Sequence, residues 1–117
     1  MNYLLFGAMS GCLVVIMGAF GAHALNEILD DYGKSIYNKA VIYHMFHSII
    51  LLILGLINKV QPEVSLSISA WSFVFGIILF SGSLYILAIT GIKSLGMITP
   101  IGGLLFIIGW VFLILKI

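Results

Sequence analysis

The sequence predicts an all-α integral membrane protein, a bundle of four transmembrane helices. Of its 117 residues, 62% are hydrophobic and only 8% are charged, whereas an average soluble domain is roughly 45–50% apolar and about 25% charged. A soluble chain this short could not bury so much apolar surface, because small domains bury the smallest fraction of their area. The few charged residues also leave four charge-free stretches, at 1–26, 40–58, 64–92 and 94–115.

The lengths of these stretches indicate helices. Crossing a hydrocarbon core of about 30 Å takes roughly 20 helical residues, and each stretch is close to that length or longer. Lipid cannot satisfy exposed backbone groups, and stretches such as 49–54 lack the alternation of a barrel strand, so each span is expected to be helical. We predict one transmembrane domain over 1–117, with helices at about 3–25, 40–57, 67–89 and 97–115.

The first connection, residues 26–39, is long enough to have structure of its own. Four of its apolar residues recur at helical spacing, a pattern that is typical of a short amphipathic helix lying at the membrane interface. These residues are Ile28, Leu29, Tyr32 and Ile36. We therefore expect an interfacial helix within 26–39.

Both termini should lie on the same side of the membrane, because the number of spans is even. That side carries Lys59 and Lys116, and the other carries three lysines. A difference of one is too small for the positive-inside rule to decide the orientation.

Small residues form stripes on the predicted helices. Lipid supplies no hydrophobic drive between helices, so small residues that permit close approach do much of the packing. At about 100° per residue, the first helix has one narrow glycine stripe and the third a stripe of serine and glycine. We expect helix contacts, within or between protomers, at Gly7, Gly11, Gly18, Gly21, Ser69, Ser72, Gly76 and Gly102.

Polar residues within the spans are the candidate site, because polar groups are costly in a bilayer and usually functional. The first and third helices end on the side where the second and fourth begin. This topology is expected to gather the candidate ligand-binding residues on one membrane face. They are His23, His44, His47, Tyr85 and Thr99.

Several roles are open to the three histidines. His44 and His47 are three residues apart on one helical face, and with His23 they could offer three nitrogens to a metal ion. They could equally bond a neighbouring helix or lie at the headgroup boundary. The sequence has no HExxH or CxxC motif, so metal binding stays undetermined and no cofactor is predicted.

Catalysis and nucleic-acid binding have little support. Ser81-Gly82-Ser83 resembles no nucleophile elbow, and no charge-free span holds an Asp or Glu that could orient a histidine. The net charge is +1, with no basic run to neutralise phosphates. The sequence therefore favours a protein without catalytic activity but leaves an intramembrane enzyme open, and we expect no nucleic-acid partner.

Four motifs together resemble a family of small bacterial membrane proteins that is filed as a domain of unknown function and has small transmembrane relatives in eukaryotes. The resemblance spans nearly the whole chain. It implies a four-helix protein of the bacterial inner membrane with no established activity. The motifs are GAFGAHAL at 18–25, YHMFH at 43–47, LFSGSLY at 79–85 and ITPIGG at 98–103.

The resemblance also implies a ranking of the histidines. In that family the position of His44 can be Gln, so His23 and His47 are the better candidates and a three-histidine metal site is disfavoured. Relatives tend to be basic in the middle connection and tail, which Lys59 and Lys116 match here. The resemblance therefore favours cytoplasmic termini.

Two functions are carried forward from the sequence. The first is a non-catalytic membrane module that forms a homo-oligomer or belongs to a larger membrane complex. The alternative is transport or binding of a small hydrophobic or metal ligand at a site lined by His23, His47 and Tyr85.

Overall fold

The chain folds as four long helices with short connections, in a computed structural model that describes residues 1–117. Each helix is long and apolar enough to cross a membrane, and there are no strands, which confirms the predicted fold class. The helices are α1 (Tyr3–His23), α2 (Asp31–Val60), α3 (Ser67–Thr90) and α4 (Thr99–Lys116). A short 3₁₀ helix, Lys93–Met97, leads into α4.

Local signals account for where the helices begin and end. The Asn2 side chain accepts a hydrogen bond from the Leu5 amide at 3.0 Å and so begins α1. Gly91 ends α3 with a φ of 71°, a left-handed conformation that glycine adopts without a Cβ penalty. Pro100 lies in the first turn of α4, where its missing amide hydrogen costs nothing.

The first connection differs from the prediction, since there is no separate interfacial helix within 26–39. The Asp30 side chain accepts a bond from the Gly33 amide at 2.6 Å, so α2 begins at Asp31 instead of near residue 40 and continues unbroken across the membrane. The apolar pattern serves packing: Leu29 and Ile36 are buried against α3 residues in one cluster. Tyr32 remains exposed.

The helices pair as two antiparallel hairpins, α1 with α2 and α3 with α4, which join along α2 and α3. The α1 glycines differ in their surroundings. A Cβ on Gly7 would lie 2.9 Å from the Leu52 amide nitrogen, and one on Gly21 would meet the Tyr37 ring. Gly18 has ordinary space beside α2, and Gly11 faces nothing within 4 Å. The glycine stripe of α1 is therefore in tight contact with α2 only near its two ends, at Gly7 and Gly21.

The centre of α3 is a π-helical stretch, Ile77–Gly82, which the sequence analysis did not predict. Gly102 of α4 packs so closely here that an added Cβ would meet the backbone of Leu79 and Phe80. The Ser81 hydroxyl donates to the Ala40 carbonyl of α2 at 2.8 Å. The π-helical stretch is thus the point where α2, α3 and α4 meet.

Towards the chain termini, α3 and α4 meet through the small residues of α3. The Ser69 hydroxyl donates to the Gly109 carbonyl at 2.8 Å, and Gly76 lies against the Phe106 ring. Ser72 is buried beside them. Small side chains at these positions permit the close approach that membrane helices use in place of a hydrophobic drive.

Two apolar clusters occupy the ends of the bundle, with polar side chains between them. One cluster includes Leu29, Ile36 and Leu87, and the other includes Leu54 and Phe73. The polar layer between them consists of His44, His47, Ser48 and Ser81, all at most 3% exposed.

Substituting Gly102 tests the contact with the π-helical stretch. Gly102→Ala is expected to lower the free energy of unfolding by about 1–3 kcal/mol, the usual cost of overpacking, because the new Cβ meets backbone. Gly103→Ala is the matched control, since its Cβ would lie 3.7 Å from the Phe80 ring in ordinary contact. Denaturation in mixed micelles measures both, and equal effects would contradict the packing described.

Candidate functional site

A chain of hydrogen bonds joins α1, α2 and α3 in the polar layer. His44, which is 1% exposed, contacts the Tyr85 hydroxyl through Nδ1 at 2.9 Å and the Ser10 hydroxyl through Nε2 at 3.1 Å. Ser10 in turn contacts the Ser48 hydroxyl. The Ser48 hydroxyl donates to the His44 carbonyl at 2.7 Å. This hydrogen-bond chain therefore begins at Tyr85 on α3 and ends at a backbone carbonyl of α2.

Donor counting fixes the direction of every bond in this chain. Ser48 gives its one hydrogen to the His44 carbonyl, so Ser10 must be the donor to Ser48. Ser10 then accepts from His44, whose Nε2 carries the proton. A buried imidazole with no carboxylate partner is neutral, so its Nδ1 accepts from the Tyr85 hydroxyl. His44 is thus a neutral ring protonated on Nε2, and the chain ends on a backbone carbonyl instead of crossing the membrane.

His47 uses both ring nitrogens in a second, separate arrangement. Its Nδ1 bonds the Tyr43 carbonyl at 2.8 Å, and the Trp110 indole donates to its Nε2 at 3.1 Å. A carbonyl can only accept and an indole N–H can only donate, so His47 is neutral and protonated on Nδ1. Neither nitrogen is left with a lone pair for a metal ion.

Aromatic rings surround His47. The Phe106 ring stacks on the imidazole at 3.6 Å between centroids with an interplanar angle of 7°. Phe73 lies 5.4 Å away on another side. This apolar setting excludes water and makes each hydrogen bond to the ring costly to lose.

The structure does not bring the three histidines together. Gly21 faces Tyr37, so His23 lies beside the start of α2, where it is exposed. At 1.5 Å per residue, His44 is roughly 10 Å and His47 roughly 15 Å deeper than Tyr37. Both α2 histidines therefore lie deeper in the bundle than His23, in the polar layer. No group of His, Cys, Asp or Glu residues is arranged to hold a metal ion.

Thr99 belongs to a third hydrogen-bond group, between α3 and α4. The Ser83 hydroxyl donates to the Phe80 carbonyl at 2.9 Å, and the Ser83 and Thr99 hydroxyls are in hydrogen-bond contact at 2.6 Å. Ile98, not Thr99, occupies the N-cap position of α4. Of the five predicted ligand-binding residues, only His44 and Tyr85 are in direct contact.

Sequence reasoning missed three residues of these arrangements, namely Ser10, Ser48 and Trp110. A signal existed for the serines, because each is an isolated hydroxyl in an apolar span, and such groups usually find a partner on another helix. Trp110 is 63 residues from His47, and no sequence pattern reveals which face of α4 meets α2.

Comparison with known proteins is informative at the level of family. A model described as "Protein of unknown function (DUF423)" matches residues 17–103. The chain belongs to this family. The DUF423 match includes His23, both α2 histidines, the π-helical stretch and the beginning of α4.

Named relatives in the bacterial genera Staphylococcus and Bacillus agree with this assignment. A UPF0382 membrane protein of Staphylococcus epidermidis is 46% identical over 113 residues, covering 97% of this chain and 92% of the relative. The UPF0382 membrane protein YwdK of Bacillus subtilis is 41% identical, covering 96% and 92%. The chain is therefore a DUF423 membrane protein, and these relatives are bacterial. No solved structure matches it.

Removing the indole donor tests the arrangement around His47. Trp110→Phe leaves Nε2 without a partner, so the free energy of unfolding should fall by about 0.6–1.7 kcal/mol, the range for hydrogen bonds between membrane helices. A double-mutant cycle with His47→Leu should recover most of that value as coupling. Trp71→Phe is the control, since Trp71 is 42% exposed on α3. Equal losses for the two tryptophans, or no coupling to His47, would contradict the assignment.

Proposed function

We propose that this protein is a non-catalytic membrane module that assembles with copies of itself through the outer face of α1. The observation that carries the proposal is the poor burial of α1, in which only Gly7 and Val14 are buried. By contrast, eleven residues of α2 are buried. A span with so few residues buried inside its own protomer has most of its surface available to another protein.

The non-catalytic part of the proposal is supported by the pairing of polar groups. Every buried side-chain nitrogen and oxygen has a hydrogen-bond partner within the chain. His44 and His47 each use both ring nitrogens. A general base or a nucleophile needs a free atom that faces a substrate, and these histidines have none.

The composition of the exposed α1 face supports assembly. Five small or β-branched residues share an arc of about 80° at 100° per residue, and all five are exposed. Small residues at this spacing permit close helix approach and are enriched at membrane-helix interfaces. They are Ala8, Cys12, Val15, Ala19 and Ala22.

The proposal extends to the membrane and its orientation. We infer that the protein lies in the bacterial cytoplasmic membrane with both termini in the cytoplasm, which leaves His23 and the first connection on the outer side. The even number of spans supports placing both termini on one side. The cytoplasmic side is supported by the resemblance of Lys59 and Lys116 to the basic middle connection and tail of the family.

The single cysteine provides the test of assembly. Cys12 is exposed and lies within the small-residue stripe. A two-fold axis along the membrane normal would bring it near its own copy. Mild oxidation in native membranes should then give a disulfide-linked dimer, since such a bond requires Cα atoms within about 7 Å. Ala8→Leu or Ala19→Leu should reduce its yield several-fold.

A displaced cysteine serves as the matched control. In Cys12→Ser combined with Leu13→Cys, the thiol moves about 100° around α1 and remains exposed, since Leu13 is 50% exposed. This variant should give little dimer. Equal crosslinking at both positions would indicate random collision and, like an absence of crosslinking at Cys12, would contradict the proposal.

A further inference from the structure

A groove between α2 and α4 has a volume of about 810 Å³. This volume lies within the range of small-molecule sites. Its walls are mostly aliphatic and aromatic, and His47 and Trp110 at its inner end already satisfy each other. The residues that define its two ends are Tyr43 and Pro100 on one side and Phe46 and Trp110 on the other.

The groove is as long as one leaflet is thick. Its α4 wall runs from Pro100, in the first turn of the helix, to Trp110. Ten residues of helix are roughly 15 Å long, which is half of a hydrocarbon core of about 30 Å. The groove thus extends from the membrane boundary to the midplane, the depth of a single acyl chain. A transmembrane helix of a neighbouring copy would fit it along only half of its length.

The boundary end of the groove carries a polar and positively charged group. Tyr43 is 42% exposed and lines the groove, and its hydroxyl makes no hydrogen bond within the chain, unlike those of Tyr37 and Tyr85. Lys39 lies one helical turn before Tyr43, on the same face of α2. Lys93 is in the 3₁₀ helix that leads to the same end of α4.

The acidic residues on this side of the membrane are further from the groove. Asp31 begins α2, twelve residues before Tyr43 and therefore roughly 18 Å further along the helix. Glu27 and Asp30 are in the first connection, beyond that point. A negative headgroup at Tyr43 would therefore meet Lys39 before any carboxylate.

We propose that this groove binds one acyl chain of an anionic phospholipid from the leaflet on the side of the first connection. The phosphate accepts from the Tyr43 hydroxyl and is attracted by Lys39 and Lys93. The chain runs between α2 and α4 to Trp110. This binding site is on a different face from the small-residue stripe of α1, so the two proposals stand or fall separately.

Lipid titration of the intact protein tests the site. Protein purified in mild detergent is titrated with phosphatidylglycerol or phosphatidylcholine of identical chains, and bound lipid is counted by native mass spectrometry. One phosphatidylglycerol per chain should bind at least about fivefold more tightly than phosphatidylcholine, the contribution of one lysine near a membrane surface. Lys39→Gln should remove this preference. Lys59→Gln, at the other end of α2, should keep it.

A second pair of variants tests the acyl-chain portion. Ile107 lines the groove and is 61% exposed, and Ile114, two helical turns later on α4, is 69% exposed and outside the groove. Ile107→Trp should fill the groove and reduce binding of both lipids several-fold, whereas Ile114→Trp should not.

Four results would overturn the proposal. They are equal affinity for the two lipids, equal effects of the two lysine substitutions, equal effects of the two tryptophan substitutions, and a lipid-free dimer that Ile107→Trp dissociates. The last of these would assign the groove to a second copy of the chain.

Discussion

Within the hydrocarbon core, a polar side chain has no water to bond, so each one must find its partner on the protein. The His44 side chain meets this requirement with Tyr85 on α3 and Ser10 on α1, and Ser10 in turn bonds Ser48 of α2. Every hydrogen in the chain has one possible acceptor, so the rotation of α1 and α3 about α2 is fixed. The remaining packing follows from that alignment.

The π-helical stretch performs the same task on the other side of α2. A π-turn inserts an extra residue into the helix, and here it directs the Ser81 hydroxyl to the Ala40 carbonyl. The backbone of the same stretch lies against Gly102, and α4 can approach α3 this closely because glycine has no Cβ. With α4 in this position, Trp110 reaches His47. Two neutral histidines of opposite tautomer thus connect α2 to α1, α3 and α4.

The sequence predicted the number of membrane spans and their helical form, which depend on the lipid solvent and on the spacing of charged residues. The number of spans follows from the charge-free stretches, because each is long enough to cross the bilayer and a helix satisfies its backbone groups there. The error at residues 31–39 arose because amphipathic periodicity is the same for a helix lying on a membrane and for one packed against Leu84 and Leu87. The Asp30 cap begins α2 at Asp31, so residues 31–39 belong to the transmembrane helix. The sequence analysis did not identify Asp30 as a helix cap.

The candidate site was less predictable, for a different physical reason. Helix order gives the depth of a side chain but not the direction in which it points. Thus His23 is exposed near the end of α1, whereas His44 is enclosed in the polar layer between the helices. The pairing of Trp110 with His47 depends on the rotation of α4 about its axis. The contact between Gly102 and the π-helical stretch sets that rotation, and neither sequence segment predicts it by itself.

The protonation pattern of the two buried histidines is the most direct measure of this account. Solid-state NMR of the nitrogen-15-labelled imidazoles in bilayers at neutral pH reports the tautomer of each ring, with exposed His23 as an internal reference and His44→Gln for assignment. The hydrogen bonds predict a neutral ring protonated on Nε2 for His44 and a neutral ring protonated on Nδ1 for His47. The same tautomer at both positions, or a doubly protonated ring at either, would contradict the account.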